Sequence, residues 1–301
     1  MRSKEKNLDA SKALQKFFFA FDEGYGTAYE RYAFDKSVAS MIDRYEITDV
    51  LEMPADGIMG IPGIKSMIFA KKGCDVTVVH PSQEFLDDAR RIWDAFGLEA
   101  EFIRSKWIST LFRNGSFDLV WNFCVYEHFY NPIEVVKEML RVTRKYIFIE
   151  IQNVFNLGFP IHRAFHHLRR EPWDHGNLNQ MKISQLKYVI DRSEAAVIEI
   201  GATDMPPWPD INIKAKEMLK KRRVQKKGDA SWNVLRPEVE VKTMDKLLGD
   251  MNSIREAEGM SVKNEFTLSL FELWYLLMEK KVPLTFKKFF AHHPYIIAEK
   301  K

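Results

Sequence analysis

From residue 49 to 200, short runs of β-branched and aromatic residues alternate with longer stretches of helical periodicity, and this rhythm restricts the fold more than any other feature of the chain. Neighbouring strands that run the same way cannot be joined by a hairpin, so each pair needs a crossover, usually a helix. Strands are expected at residues 49–53, 75–79, 101–104, 117–121, 145–151 and 195–200, with helices at 64–72, 82–96, 132–142 and 184–192. Ser82 and Ser184 suit helix N-caps, and Gly73 and Gly97 suit helix stops. An α/β architecture with a doubly wound, mostly parallel sheet follows.

The flanks read differently. Residues 1–48 are helical in pattern, with an aromatic cluster at Phe17, Phe18, Phe19 and Phe21, and are expected to lie across an edge of the sheet. After residue 202, Met205-Pro-Pro-Trp-Pro209 interrupts regular structure, and a charged, mostly helical stretch follows to about residue 290. The segment His293–Ala298 is β-prone and suits a last strand returning to the sheet. The expected organisation is an N-terminal helical segment (1–48), an α/β core (49–202) completed by 291–301, and a helical insertion or cap (203–290).

Composition excludes several classes. With 46% hydrophobic and 29% charged residues a core can form, which rules out a disordered or coiled-coil chain. Two cysteines, Cys74 and Cys124, cannot build a disulfide framework or a thiolate zinc site, and a reducing, cytoplasmic setting fits them. The stretch from Phe266 to Met278 is broken by Glu272 and is shorter than the ~20 residues of a membrane span; the N-terminus has no signal-peptide pattern. Neither a bilayer crossing nor export is expected. Phe266, Leu270, Leu273, Trp274 and Leu277 fall at helical spacing and are expected to pack against the sheet or a second subunit, with the oligomeric state left open. The net charge of +3 hides a basic run, since residues 212–228 hold eight Lys and Arg against Glu217 alone. A solvated helix face or loop is the leading reading of that run; RNA phosphates, an anionic lipid surface or a phosphorylated substrate are the alternatives.

Chemistry is written first in the turn after the opening strand, Glu52-Met-Pro-Ala-Asp-Gly57-Ile-Met-Gly60-Ile-Pro-Gly63, with three glycines at intervals of three before a helix. Glycines placed there let the backbone approach a ligand closely and present unpaired N–H groups at the helix start, which points to a nucleotide or nucleoside site. Two further motifs accompany it: Val76-Thr-Val-Val-His-Pro-Ser-Gln-Glu-Phe-Leu-Asp-Asp-Ala-Arg90, and Phe117-Asp-Leu-Val-Trp-Asn-Phe-Cys-Val-Tyr-Glu-His128 running on through Asn131-Pro132.

On these three motifs the stretch from 49 to about 200 resembles the class I S-adenosylmethionine-dependent methyltransferases, in particular their small-molecule group. The resemblance implies a Rossmann-like sheet with an antiparallel last strand, S-adenosylmethionine as cofactor and a small-molecule acceptor. It implies cofactor contacts from Glu52, Met53, Asp56, Gly57, Gly60 and Gly63 in the first loop, from His80 and Pro81 after the second strand, from Ser105 after the third, and from Asn122 and Phe123 at the end of the fourth. Departures are visible. His80 stands where the family usually has an acidic ribose ligand, Ser105-Lys106-Trp107 stands where a second acidic residue receives the adenine amino group, and Pro54 and Asp56 replace early glycines. A neutral imidazole at residue 80 can donate one hydrogen bond and accept another.

Methyl transfer from a sulfonium asks the protein mainly to position the acceptor and, where needed, to take its proton. His128, after Glu127, is the candidate base; the alternative is that both residues cap the next helix and hold the loop. Tyr25, Arg31, Tyr126 and Arg163 are candidate acceptor contacts, with a solvated helix face as the alternative for Arg31 and packing against Trp121 or Phe129 for Tyr126. His162 and His166 are spaced to share a helix face, but no acidic residue stands between them and no HExxH pattern forms, so no metal is expected. Two other functions fit the same motifs: a catalytically inactive protein of this fold serving interactions, and an RNA methyltransferase using the 212–228 run.

Overall fold

The computed structural model describes residues 25–55, 63–105, 112–170, 173, 175–205 and 269–301. Seven strands form one sheet: β1 (Asp49–Glu52), β2 (Asp75–His80), β3 (Glu101–Arg104), β4 (Phe117–Phe123), β5 (Thr143–Glu150), β6 (Ala195–Thr203) and β7 (His293–Lys300). Their order across the sheet is β3-β2-β1-β4-β5-β7-β6. β1 to β5 pair in parallel, and β7 runs antiparallel between β5 and β6. This is the Rossmann-like, mostly parallel sheet with an antiparallel closing strand that the sequence implies.

Helices cover both faces: α1 (Tyr25–Tyr45), α2 (Met67–Lys71), α3 (Gln83–Ala95), α4 (Pro132–Val142), α5 (Phe159–Arg169), α6 (Ile183–Asp191) and α7 (Leu284–Phe290), with a π-helical turn at Tyr275–Lys280. The period-two alternation of the strands sorts the core into two layers. Val50, Val78, Trp121 and Phe148 face one way, with Phe34 of α1, Met67 of α2 and Trp93 of α3; Leu51, Val79, Val120 and Ile149 face the other, with Met139 of α4 and Leu186 of α6. Strand β4 lies in the middle and is buried at every residue from Asp118 to Phe123. A parallel strand covered on both faces reads as a nearly continuous apolar run, which is why β4 is so plain in the sequence.

Local signals hold in part. Ser82 accepts the Phe85 N–H at 3.3 Å and so caps α3. Ser184 caps nothing: α6 begins at Ile183, because the carbonyl of extended Lys182 already accepts the N–H groups of Gln185 and Leu186. Neither cysteine forms a disulfide, and both are buried.

Two packing expectations are corrected. Helix α1 crosses the face of the sheet rather than an edge: Phe34 sits 5.5 Å from the ring of Trp121 and 5.9 Å from that of Phe123, on the central strand. Its apolar residues Phe34, Val38, Met41 and Ile42 join the core layer on that face of the sheet. The helical residues 269–280 in turn pack on α1, which leaves packing of the leucine stripe against a second subunit open. Leu270, Leu273 and Leu277 are exposed, while Phe271 and Tyr275 are buried against Tyr29 and Tyr32. The outer face of α1 offers aromatic rings, so the aromatic stripe turns inward and the leucine stripe does not. Phe266, the Phe17 to Phe21 cluster and the 212–228 run lie outside the described residues. Among the described residues no helix is long and apolar enough to cross a membrane.

Candidate active site

Strand order reverses between β1 and β4: from β1 the chain builds outward to β2 and β3, and from β4 it builds the other way. In open α/β sheets a crevice forms outside the carboxyl ends of the strands at such a switch point. The backbone leaving β1 is tied down across it. Met53 N–H donates to the Trp121 carbonyl at 2.9 Å and Ala55 N–H to the Val79 carbonyl at 2.8 Å, so the chain steps from β4 over to β2.

Glu52 ends β1 and is buried at 1% exposure. The Ser66 hydroxyl donates to its Oε2 at 2.7 Å, and the Trp121 indole N–H approaches Ser66 Oγ at 3.2 Å. One serine therefore links β1, β4 and the turn that leads into α2. Gly63 opens that turn at φ +68°, and a Cβ placed on it would stand 3.2 and 3.3 Å from the two methyls of Val78. Both the left-handed backbone and the close strand favour glycine. Asp56, Gly57 and Gly60 lie outside the described residues, as do Lys106 and Trp107.

At the end of β2, His80 Nδ1 accepts the Ser82 N–H at 3.1 Å, and its ring stacks on Phe85 at 3.9 Å. That bond uses the acceptor nitrogen, so the neutral ring carries its proton on Nε2 and presents a donor only. The expectation of a donor and an acceptor both available to a ligand is thereby narrowed. Pro81 accepts the Arg104 Nε–H at 3.0 Å, and Ser105 N–H lies 3.3 Å from the His80 carbonyl, which holds the β2 and β3 exits together.

The end of β4 gathers buried polar groups. Asn122 Nδ2 donates to the Met53 carbonyl at 3.3 Å, while its Oδ1 is buried with no hydrogen-bond partner among the described residues. Phe123 points to the opposite face, where the Lys65 ammonium sits 4.1 Å from its ring centre. Tyr126, Glu127 and His128 form a 3-10 turn and are all buried. The Tyr126 hydroxyl also lacks a partner among the described residues, and burial pushes its ionisation well above the usual phenol range. Glu127 does not cap α4, whose N-cap is Asn131. It binds loops instead: its Oε1 accepts Gln152 N–H at 3.1 Å and its carbonyl accepts Asn177 N–H at 2.8 Å. Gly176 packs so closely there that a Cβ would fall 2.7 Å from the Glu127 carbonyl oxygen.

The remaining predicted residues are scattered. Arg31 is buried at 3% exposure, which removes the solvated-face reading. Tyr25 starts α1. Arg163 is exposed on α5, its guanidinium 5.8 Å from the Trp173 ring centre. His162 and His166 of the same helix meet His175 from the following loop.

A group the sequence did not disclose lies beside the β4 and β5 ends. Lys65 pairs with Glu30, His293 Nδ1 sits 3.2 Å from Cys124 Sγ, and Thr203 donates to Glu150 at 2.5 Å. Glu279 accepts the Met205 N–H at 2.7 Å. Burial pushes Glu150 up to about 7 and Glu279 up to about 7. Burial opposes charge on Glu30 and His293 as well, but the Lys65 ammonium holds Glu30 well below the usual carboxylate range, and Glu30 with Asp204 raises His293. These residues come from α1, the turn before α2, β5, β6, β7 and the 269–280 helix, and no sequence spacing connects them.

Residues 59–148 match the family described as a methyltransferase domain. The matched stretch takes in β2, β3, β4 and most of β5. Among solved structures, similar ones include a SAM-dependent methyltransferase from Aquifex aeolicus (11% identity, 55% of this chain and 82% of that one, TM-score 0.41). The YcgJ protein of Bacillus subtilis is another (14%, 88% and 98%, TM-score 0.46). A third is the magnesium protoporphyrin IX methyltransferase of Synechocystis PCC 6803, whose structure holds bound SAH (13%, 67% and 93%, TM-score 0.46). At such identities and scores the likeness does not extend to activity or substrate. A search of curated proteins finds no match.

Proposed function

We propose that this protein is an S-adenosylmethionine-dependent methyltransferase acting on a small-molecule acceptor. The observation that carries the reading is the sheet order with its switch point between β1 and β4, together with the match of residues 59–148, which takes in β4 but not β1. Two buried polar atoms at the β4 end, Asn122 Oδ1 and the Tyr126 hydroxyl, support it, because a buried acceptor or hydroxyl without a partner is costly unless a ligand completes it.

In this reading the cofactor supplies a methyl group already activated by the sulfonium. Glu52, Met53, Asp56, Gly57, Gly60 and Gly63 serve its methionine part. His80 gives its Nε2–H to a ribose hydroxyl, with Pro81 shaping that wall, and Ser105 serves the adenine. Asn122 and Phe123 border the sulfonium. Arg31, Tyr25, Tyr126 and Arg163 orient the acceptor, and His128 receives its proton where the acceptor must lose one.

Calorimetric titration with S-adenosylhomocysteine tests the reading. One ligand per chain is expected; no heat at millimolar ligand would mean that the fold has lost its cofactor.

A further inference from the structure

Three imidazoles converge beside the candidate acceptor side. His162 and His166 lie one turn apart on α5, and His175 reaches them from the loop that follows. His175 Nε2 is 3.0 Å from His162 Nε2 and 3.0 Å from His166 Nε2. The three ring centres form a near-equilateral triangle with sides of 4.7, 4.9 and 4.9 Å.

Hydrogen bonding explains this arrangement poorly. Each neutral imidazole nitrogen carries either one hydrogen or one lone pair, so His175 Nε2 cannot form two good linear bonds with two like atoms at once. A divalent cation satisfies all three lone pairs together. Tetrahedral zinc holds imidazole nitrogens at 2.0–2.1 Å, which separates neighbouring ligand atoms by about 3.3 Å, a few tenths from the spacing here. An all-imidazole set suits zinc, nickel, cobalt or copper, whereas magnesium and calcium demand oxygen ligands.

The surroundings are those of a held site. Trp173 lies against the rings, 4.9 Å from His175 and 5.4 Å from His166, and its indole N–H donates to the Gly176 carbonyl at 2.8 Å, which fixes the loop carrying His175. Gly176 in turn presses on Glu127, and Asn177 N–H bonds the Glu127 carbonyl. The cluster is thus pinned to the carboxyl end of β4. His162 is exposed and the other two are half-buried, so a fourth coordination position opens to solvent or to a ligand. The sequence argument against a metal rested on the missing acidic residue between His162 and His166; the fold supplies the third donor from His175.

We propose that His162, His166 and His175 form a site for one divalent transition-metal ion of the zinc type, with its fourth position open. The site stands apart from the cofactor reading, because metal binding is measured without cofactor or turnover.

The test uses tag-free, chelator-treated full-length protein, titrated with zinc chloride by calorimetry and with cobalt(II) by visible absorption. One equivalent of each is expected, cobalt giving the intense bands of a low-coordinate site. H162A, H166A and H175A should each weaken zinc binding by more than about 100-fold, beyond the loss seen for outer-shell changes. H167A, which alters a neighbouring histidine outside the cluster, should leave affinity within about twofold. His162 is exposed, so H162A tests the site without threatening the fold, and zinc should raise the melting temperature of the wild type but not of H162A. Absence of zinc binding by the wild type at millimolar metal, or binding that survives all three substitutions, would overturn the proposal.

Discussion

Replacing Ser66 by alanine removes one hydroxyl and two hydrogen bonds. Ser66 Oγ donates to buried Glu52 Oε2 at 2.7 Å and receives the indole N–H of Trp121 at 3.2 Å, and all three residues are at most 1% exposed. Water cannot replace either bond without opening the core. Leaving a buried polar group unsatisfied costs about 1–3 kcal/mol, and two are affected, one of them through a long bond. The expected loss is about 2–4 kcal/mol, a large share of the 5–15 kcal/mol that holds a typical domain together. Urea denaturation of the wild type and S66A measures it. The cost should shrink in an E52Q, W121F background, where the bonding partners are already changed, and that coupling separates the network from simple loss of packing. Because Ser66 fixes Glu52 at the end of β1, S66A should also weaken S-adenosylhomocysteine binding. A stability loss below about 0.5 kcal/mol would refute the reasoning.

Other outcomes follow from the same structure. G63A places a side chain at φ +68° and crowds Val78, and should cost about 1–2 kcal/mol, more than an exposed glycine such as Gly73 would report for its backbone alone; thermal melting of the two variants checks this. Glu150 and Glu279 have native values raised to about 7, so between the ordinary carboxylate value of 4.5 and about 7 the unfolded chain ionises while the folded one stays protonated. Their contribution is full below pH 4.5 and is lost as pH rises towards and past 7; E150Q should flatten the fall in urea midpoint over that window, and an unchanged slope would contradict it. H128N should lower kcat by about 100-fold or more with a smaller effect on cofactor affinity, as kinetic constants and calorimetry on the same preparation will show.

The sheet was legible because its central strands, covered on both faces, are written as mostly apolar runs, and β4, apolar from Leu119 to Trp121 and again at Phe123, is the plainest case. The closing strand was legible from its β-prone composition, and Ser82 from its place before an amphipathic helix. Ser184 misled because N-cap preference says nothing about which carbonyl takes the first helical bond, and that was Lys182. The leucine stripe at 270, 273 and 277 misled as to the sheet because periodicity reveals a face but not its partner: the leucines stay exposed, while Phe271 and Tyr275 meet the aromatic outer face of α1. His80 was read as a bifunctional ligand, whereas a backbone bond two residues on had already taken one nitrogen. Most hidden of all were clusters assembled by long-range packing. Glu30, Lys65, Glu150 and His293 meet only once α1 has folded over the sheet, and His175 joins His162 and His166 only once Gly176 has docked on Glu127.

The account stands on a cradle at the tips of β1 and β4. A crystal structure of the protein grown with S-adenosylhomocysteine tests it most directly. The ligand should lie beyond the carboxyl ends of β1 and β4, with its ribose near His80 and its sulfur near Asn122. Clear density for the ligand elsewhere, or a crevice filled by Met53, Asn122 and Tyr126 under saturating ligand, would contradict it.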